Sequence, residues 1–118
     1  MRAALWASVP LNVLGAALFG AAALGRPPAL LPLLIPPFYA AQLALVIGLF
    51  AVVYFWLARR PVIDRAMVVV GAAGKLGFFA LFVAYWLRGD LAVTAVVNAT
   101  PDLVIGTIFV VWLGRSGS

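Results

Sequence analysis

Two ionisable side chains, Lys75 and Asp102, stand inside long apolar stretches of this sequence. An ammonium group beside a carboxylate can neutralise it as an ion pair, bind a polar ligand or transfer a proton. Neither charge is stable alone in apolar surroundings, because moving a charged group out of water is costly. The elements that carry these two residues must therefore bring them to a partner.

The composition of the chain shows what surrounds the two charges. Of the 118 residues, 67% are hydrophobic and 9% are charged, and the mean hydropathy is +1.20. Soluble domains have about half apolar and about a quarter charged residues, so a soluble fold would leave too much apolar surface in water. The composition is typical of an integral membrane protein, whose first partner is the lipid bilayer.

Missing residue types and the placement of charge exclude several classes of site. The sequence has no cysteine and no histidine, which excludes disulfides, thiolate metal sites and haem held by either residue. The net charge of +5 comes mostly from basic residues at the ends of apolar runs, which argues against a nucleic-acid partner. We therefore expect no catalytic residues, no metal, no cofactor and no enzymatic activity.

Four segments are apolar enough to cross a bilayer, which takes about 20 residues for a hydrocarbon core of about 30 Å. They cover residues 4–24, 38–58, 66–87 and 91–113. The second and third connections are short, so neighbouring helices are expected to be antiparallel. The sequence predicts an all-α fold, namely one transmembrane domain over residues 1–118 that forms an integral membrane four-helix bundle with up-down-up-down topology.

Basic residues outside these segments predict the orientation. One side, formed by the N-terminus, the second connection and the C-terminus, contains Arg2, Arg59, Arg60, Arg65 and Arg115. The other side contains only Arg26 and Arg88. Because basic residues concentrate in cytoplasmic loops, we expect a multi-pass protein of the cell inner membrane with both termini cytoplasmic. The proline-rich connection 25–37 is then outside, lying along the membrane surface or folded onto the bundle.

Aromatic and small residues predict how the helices sit and pack. The four tryptophans and three tyrosines fall near the ends of predicted spans, where amphipathic rings prefer the membrane interface. Small residues at helical spacing let helix backbones approach closely. They are Gly15, Ala16, Gly20 and Ala23 in the first span and Ala73, Gly77, Ala80 and Ala84 in the third. We expect both stripes to pack helix on helix within the chain, and an oligomer face is the less favoured use.

Lys75 and Asp102 are predicted at nearly the same depth, roughly 14 and 16 Å from the cytoplasmic end of their spans. Asn12 of the first span lies near this level, and Asn98 lies one turn before Asp102 on the same helix face. We name these four residues the polar cluster. Residues 100–102, in the order Thr-Pro-Asp, resemble a helix start and predict a kink or break in the fourth span.

Two roles are open for the polar cluster. As a structural group it would fix the register of the helices and supply hydrogen bonds to a kinked helix. As a functional group it would bind a ligand or transfer a proton, as ionisable residues inside membranes often do. The structural role is favoured at this point, because a paired set of charges needs no ligand.

A family resemblance rests on the predicted topology and on a few scattered residues. These residues are Asn12, Gly74, Lys75, Gly89, Asp90 and Asp102. Together they resemble small bacterial four-helix membrane proteins of the DoxX-like kind. For some members the resemblance implies a quinone or a redox partner. The small multidrug transporters have a similar length, but their essential glutamate is missing here, since the chain contains no glutamate.

Three functions fit these observations. The leading one is a non-enzymatic accessory or anchoring subunit of another membrane protein, because the predicted bundle is compact and carries no motif that does chemistry alone. The second is a transporter or channel for a small or anionic species, which would need a homo-oligomer because four helices leave little internal space. The third is an apolar-ligand binder, for quinone or lipid, with Phe78, Phe79 and Phe82 beside Lys75.

Overall fold

The computed structural model describes residues 1–25 and 36–115, and within these ranges it forms five helices. They are α1 (Arg2–Ala23), α2 (Pro37–Arg59), α3 (Arg65–Leu87), α4 (Val93–Asn98) and α5 (Thr100–Arg115). Helices α1, α2 and α3 are long and apolar enough to cross a membrane. The fold is therefore all-α, and the chain fits a small membrane protein. Most of the proline-rich connection lies outside the described residues.

The fourth predicted span is divided into two helices at Ala99. Pro101 has no backbone N–H to continue the regular hydrogen-bond ladder. The N–H of Asp102 donates to the carbonyl of Ala99 at 3.1 Å, and the hydroxyl of Thr100 donates to the carbonyl of Val96 at 3.3 Å. These bonds satisfy backbone groups at the break, which the order Thr-Pro-Asp predicted.

Specific residues begin and end α3. The carboxylate of Asp64 accepts a hydrogen bond of 3.3 Å from a backbone N–H in the first turn, which caps the helix. At the other end Gly89 has a φ of +83°, a conformation that residues with a side chain rarely adopt. The N–H of Gly89 donates to Trp86, and the N–H of Asp90 donates to Tyr85. This pattern is a Schellman motif, which reverses the chain after α3.

Helices α1 and α2 pack as an antiparallel pair, the first hairpin. At one end the guanidinium of Arg2 donates to the carbonyl of Ala58 at 2.8 Å, and at the other Phe19 lies in a buried cluster with Ala40. A Cβ added at Gly15 would lie 3.2 Å from the side chain of Ile47. The glycine therefore permits close approach, and this part of the α1 stripe packs within the chain as predicted.

Helices α3 and α5 pack as a second antiparallel pair, which with α4 forms the second hairpin. The guanidinium of Arg65 donates to the carbonyl of Leu113 at 2.9 Å. This contact lies at the end of the helices that we call the arginine-rich end, which carries Arg2, Arg59, Arg60, Arg65 and Arg115. Further along, a Cβ added at Gly106 would lie 2.8 Å from the Cγ of Leu76. No side chain fits between the helices at that point, so Gly106 sets the closeness of this pair.

The two hairpins meet in a core at the arginine-rich end. Tyr54 of α2 is at its centre, only 2% exposed, with its ring centroid 5.9 Å from that of Phe109. A Cβ at Gly71 would lie 3.0 Å from the Tyr54 ring, so the glycine makes room for it. Tyr54 lies near the end of its span, as the sequence indicates, but its ring is buried between the hairpins. Its ring crosses from one hairpin to the other.

Arginines lie over aromatic rings at both ends of the helices. The guanidinium-to-centroid distances are 5.4 Å for Arg59 and Phe55, 4.7 Å for Arg60 and Trp56, 5.6 Å for Arg65 and Trp112, and 5.2 Å for Arg88 and Tyr85. Such pairs hold a cation against the face of a ring. Aromatic and basic residues therefore lie together at the helix ends, as is typical of helices that cross a membrane.

The small-residue stripe of α3 does not pack within the chain, so that expectation is wrong. Ala73, Gly77, Ala80 and Ala84 are all exposed, and a Cβ added at Gly77 would meet nothing within 4 Å. The opposite face of α3, with Gly71 and Lys75, is the one turned toward the rest of the protein. Helical periodicity located the stripe but left the rotation of α3 about its own axis undetermined.

Candidate functional site

The ammonium group of Lys75 is the centre of the polar cluster. The residue is 4% exposed, and its Nζ lies 3.0 Å from Oδ1 of Asp102. Nζ also donates to Oδ1 of Asn12 at 3.3 Å and lies 4.9 Å from the centroid of the Tyr54 ring. An ammonium has three N–H donors, and these contacts give it two oxygen acceptors and an aromatic face.

The helix break places the carboxylate that neutralises Lys75. Asp102 lies in the first turn of α5, where the helix dipole favours a negative charge. The close approach of α3 and α5 at Gly106 then brings the two side chains together, since a Cβ there would lie 3.3 Å from the Cβ of Lys75. The break and the glycine thus act jointly on one ion pair.

Asn12 joins the first hairpin to this ion pair. Its side-chain amide donates from Nδ2 to the carbonyl of Ile47 at 3.1 Å, while its Oδ1 accepts from Lys75. This arrangement fixes the amide orientation, because only the oxygen can accept from an ammonium. The polar cluster therefore links α1, α2, α3 and α5 at one level.

An apolar cavity of about 260 Å³ opens beside the polar cluster, between the two hairpins. Asn12, Lys75, Asn98 and Asp102 all line it. The structure brings the first, second and fourth of these into direct contact and places Asn98 in the same wall. The other lining groups are almost all apolar, and they include Leu18, Phe19, Ile47, Phe78, Phe82 and Ala95.

The cavity is closed toward the arginine-rich end and reaches away from it. Tyr54 forms its closed end, where the core of the two hairpins begins. In the other direction its wall includes Phe78 and Phe82, whose ring centroids are 4.6 Å apart. Phe79, which the sequence grouped with these two rings, is not part of the wall. The site is therefore an apolar recess with its polar groups gathered toward one end.

This arrangement is suited to binding. Small-molecule sites are concave and mostly apolar, with a few polar groups that fix the orientation of the ligand. Among residues 1–25 and 36–115, no group of three or more His, Cys, Asp or Glu side chains could hold a metal ion. The polar cluster can neutralise, donate and accept hydrogen bonds, and these are the interactions that hold a ligand in place.

Sequence reasoning missed Tyr54 and the cavity itself. Tyr54 resembled an interface residue because it lies only a few residues before Arg59 and Arg60. The glycine at position 71 was the available signal, since a helical glycine can make room for a large ring on a neighbouring helix. The cavity has no signal of this kind, because it depends on the distance between two hairpins that are far apart in sequence.

Comparison of the chain with protein-family models, curated proteins and solved structures gives no significant match. The family resemblance noted from the sequence therefore stays a prediction. The polar cluster and the cavity are therefore the features of the molecule that indicate a function.

We expect Lys75→Met and Asp102→Asn, made singly, to lower the free energy of unfolding by about 3–5 kcal/mol, because each leaves a buried charge without its partner. The double variant removes both charges and should recover most of the loss. Unfolding in mild detergent, followed by circular dichroism, measures the three values.

Asp90→Asn is the matched control for these variants. It breaks the ion pair of Asp90 with Arg88, which spans 3.5 Å between two exposed side chains. Exposed pairs contribute about 0–1 kcal/mol, so this change should be small. Single substitutions at Lys75 and Asp102 that behave like Asp90→Asn would show that the central pair does not neutralise a buried charge.

Proposed function

We propose that the chain is a multi-pass protein of the bacterial inner membrane that binds a small apolar molecule in the cavity between its hairpins. One observation carries the proposal: the ion pair borders an open cavity instead of packed protein. Asp102 lines that cavity with its side chain 20% exposed, although Lys75 is buried. A purely structural pair needs no opening toward a cavity, so this exposure favours a functional role.

The proposed topology has four crossings, with α4 and α5 together forming the fourth. Helix α5 has 16 residues and is about 24 Å long, which is short of a hydrocarbon core of about 30 Å. The six residues of α4 supply the missing length. Arg2, Arg65 and the other arginines of that end favour a cytoplasmic position for both termini.

Reporter fusions test this topology. We expect green fluorescent protein to fluoresce at either terminus, since it folds in the cytoplasm, and alkaline phosphatase to be inactive there. A fusion of each reporter at Gly89, in the turn after α3, should give the reverse result and serves as the control. Phosphatase activity at either terminus would contradict the proposed orientation.

Binding is favoured over conduction by the closed end of the cavity. Leu5, Tyr54, Leu57 and Phe109 are all nearly inaccessible at the arginine-rich end and fill the space between the hairpins. A pore through one chain would have to pass this core. The cavity instead reaches away from it, along walls that an apolar molecule can contact.

Gly74→Leu tests the proposed binding. Gly74 lines both the cavity and the outer groove of α3, and a Cβ there would meet nothing within 4 Å, so the position has open space for a leucine beside the cavity. We expect it to lower the occupancy of a co-purified small molecule at least tenfold, measured by native mass spectrometry after extraction in mild detergent. A ligand that fills the cavity cannot occupy the same volume as a leucine side chain.

Gly77→Leu is the matched control for the cavity. It adds the same side chain one turn further along α3, where the space is also open, but Gly77 lies outside the cavity wall. Occupancy should stay close to that of the unsubstituted protein. If the two leucine variants keep the same bound molecules, those molecules are surface lipids and the proposed binding fails.

An accessory subunit that docks on another membrane helix is a second candidate, favoured by the outward face of α3. A shallow groove on that face is lined by Ala73, Gly74, Gly77, Phe78, Ala80, Leu81 and Ala84. In lipid, small residues promote association because they let two helix backbones approach closely. The partner would be a helix of another membrane protein or of a second copy of this chain.

Gly77→Leu also tests this candidate. A leucine in the groove should weaken association by about tenfold or more, since an overpacked contact costs about 1–3 kcal/mol. Chemical crosslinking in native membranes measures the associated fraction. Ala41→Leu, at an exposed position of α2 outside the groove and the cavity, should leave that fraction unchanged. A chain that crosslinks to no partner in native membranes would rule out this candidate.

A further inference from the structure

The two charges of the polar cluster differ in their access to the cavity. The side chain of Lys75 is 3% exposed and that of Asp102 is 20% exposed. The ammonium of Lys75 is bonded to Asp102 and Asn12 and lies over the Tyr54 ring. A ligand in the cavity therefore has better access to the carboxylate than to the ammonium.

The carboxylate retains capacity to accept hydrogen bonds. It has two oxygens with about four lone-pair positions, and the ammonium of Lys75 is bonded to Oδ1 alone. Hydrogen bonds to an ionised acceptor are about twice as strong as those between neutral groups. The amide of Asn12 already donates to the carbonyl of Ile47 and accepts from Lys75, and the amide of Asn98 carries both a donor and an acceptor, so neither group selects between ligands. Asp102 does select, because an ionised carboxylate only accepts.

The charge balance of the polar cluster selects an uncharged ligand. Lys75 and Asp102 neutralise each other, so the cluster has no net charge. An anionic head group would add a negative charge beside an exposed carboxylate, and a cationic one would leave a net positive charge in an apolar recess. Both are unfavourable where water does not screen them. A neutral donor is the head group that satisfies Asp102 without adding charge.

The size and walls of the cavity define the rest of the ligand. An apolar cavity of about 150 Å³ holds benzene, so one of about 260 Å³ takes a larger group, such as a ring with a short chain. The rings of Phe19, Phe50, Phe78 and Phe82 lie in the wall. Aromatic side chains pack favourably against another ring in edge-to-face or offset geometry.

We propose that the cavity selects an uncharged apolar molecule with a hydrogen-bond donor at one end, of the hydroxyl type, which donates to the carboxylate of Asp102. The inference rests on the proposed function, since it names the class of molecule that the same cavity binds. It distinguishes that class from anionic amphiphiles, which the presence of a lysine would otherwise suggest, and from apolar molecules whose polar end only accepts.

Three probes with the same tail test this selection. They are 4-pentylphenol, which donates a hydrogen bond, 4-pentylanisole, which only accepts, and 4-pentylbenzoate, which is an anion. Isothermal titration into the full chain in lipid nanodiscs measures binding, and nanodiscs that carry the Gly74→Leu variant give the baseline for partition into lipid. We expect the phenol to bind at least tenfold more tightly than the anisole, and the benzoate to stay at the baseline.

The other outcomes separate the two proposals. Equal affinity for the phenol and the anisole, or tightest binding of the benzoate, would overturn the head-group inference and leave binding in the cavity intact. Titration curves at the baseline for all three probes would overturn the inference and the proposed function together.

A double variant locates the acceptor. Asp102→Asn alone is expected to be unstable, so it is combined with Lys75→Met, which removes the partner charge as well. The asparagine keeps a neutral acceptor of similar shape, so the preference for the phenol over the anisole should fall to about threefold or less. An unchanged preference in the folded double variant would show that the carboxylate of Asp102 does not accept the hydrogen bond that distinguishes the phenol from the anisole.

Discussion

The structure depends on the burial of one ammonium group. Lys75 lies among apolar helices, where its charge must be neutralised and its N–H groups must be bonded. Asp102 meets the first requirement from α5, and Asn12 and Tyr54 meet the second from α1 and α2. Each of these partners comes from a different helix, so satisfying a single cation also fixes how the two hairpins face each other. The hydrophobic effect does not supply such a specific arrangement, because apolar contacts have no direction.

The interruption between α4 and α5 follows from the same requirement. A proline inside a helix is destabilising, and here it stands immediately before the carboxylate that neutralises the lysine. The break turns the middle of a long segment into a helix N-terminus, where the helix dipole stabilises the negative charge of Asp102. The local cost of interrupting the helix is thus offset by a better site for a negative charge. Beyond this level the hairpins are no longer held by the core around Tyr54, and the cavity occupies the space between them.

Sequence reasoning identified the polar cluster because depth along a helix depends only on residue number. A rise of 1.5 Å per residue is enough to place Lys75 and Asp102 at one level, and the residue order around Pro101 is enough to predict a break. The rotation of a helix about its axis is harder, since apolar residues surround all faces when the solvent is lipid. For that reason the α3 stripe around Gly77 was assigned to the wrong face, and the burial of the Tyr54 ring in the core was not predicted. The cavity could not be predicted from the sequence, because it depends on the distance between two hairpins.

The glycines of α3 have different roles, depending on which face of the helix they occupy. Gly71 faces the core, where a side chain would collide with the Tyr54 ring, so its absence of a Cβ is explained by packing within the chain. Gly74 and Gly77 meet nothing, and a helical glycine without a contact costs about 1 kcal/mol relative to alanine. Their position becomes understandable if something outside the chain approaches α3. Gly74 borders both the cavity and the outer groove of α3, whereas Gly77 borders the groove alone, so the missing side chains leave volume in both places. A second helix backbone can approach closely where side chains are small. Both proposed functions therefore use space beside α3 that this chain leaves unfilled.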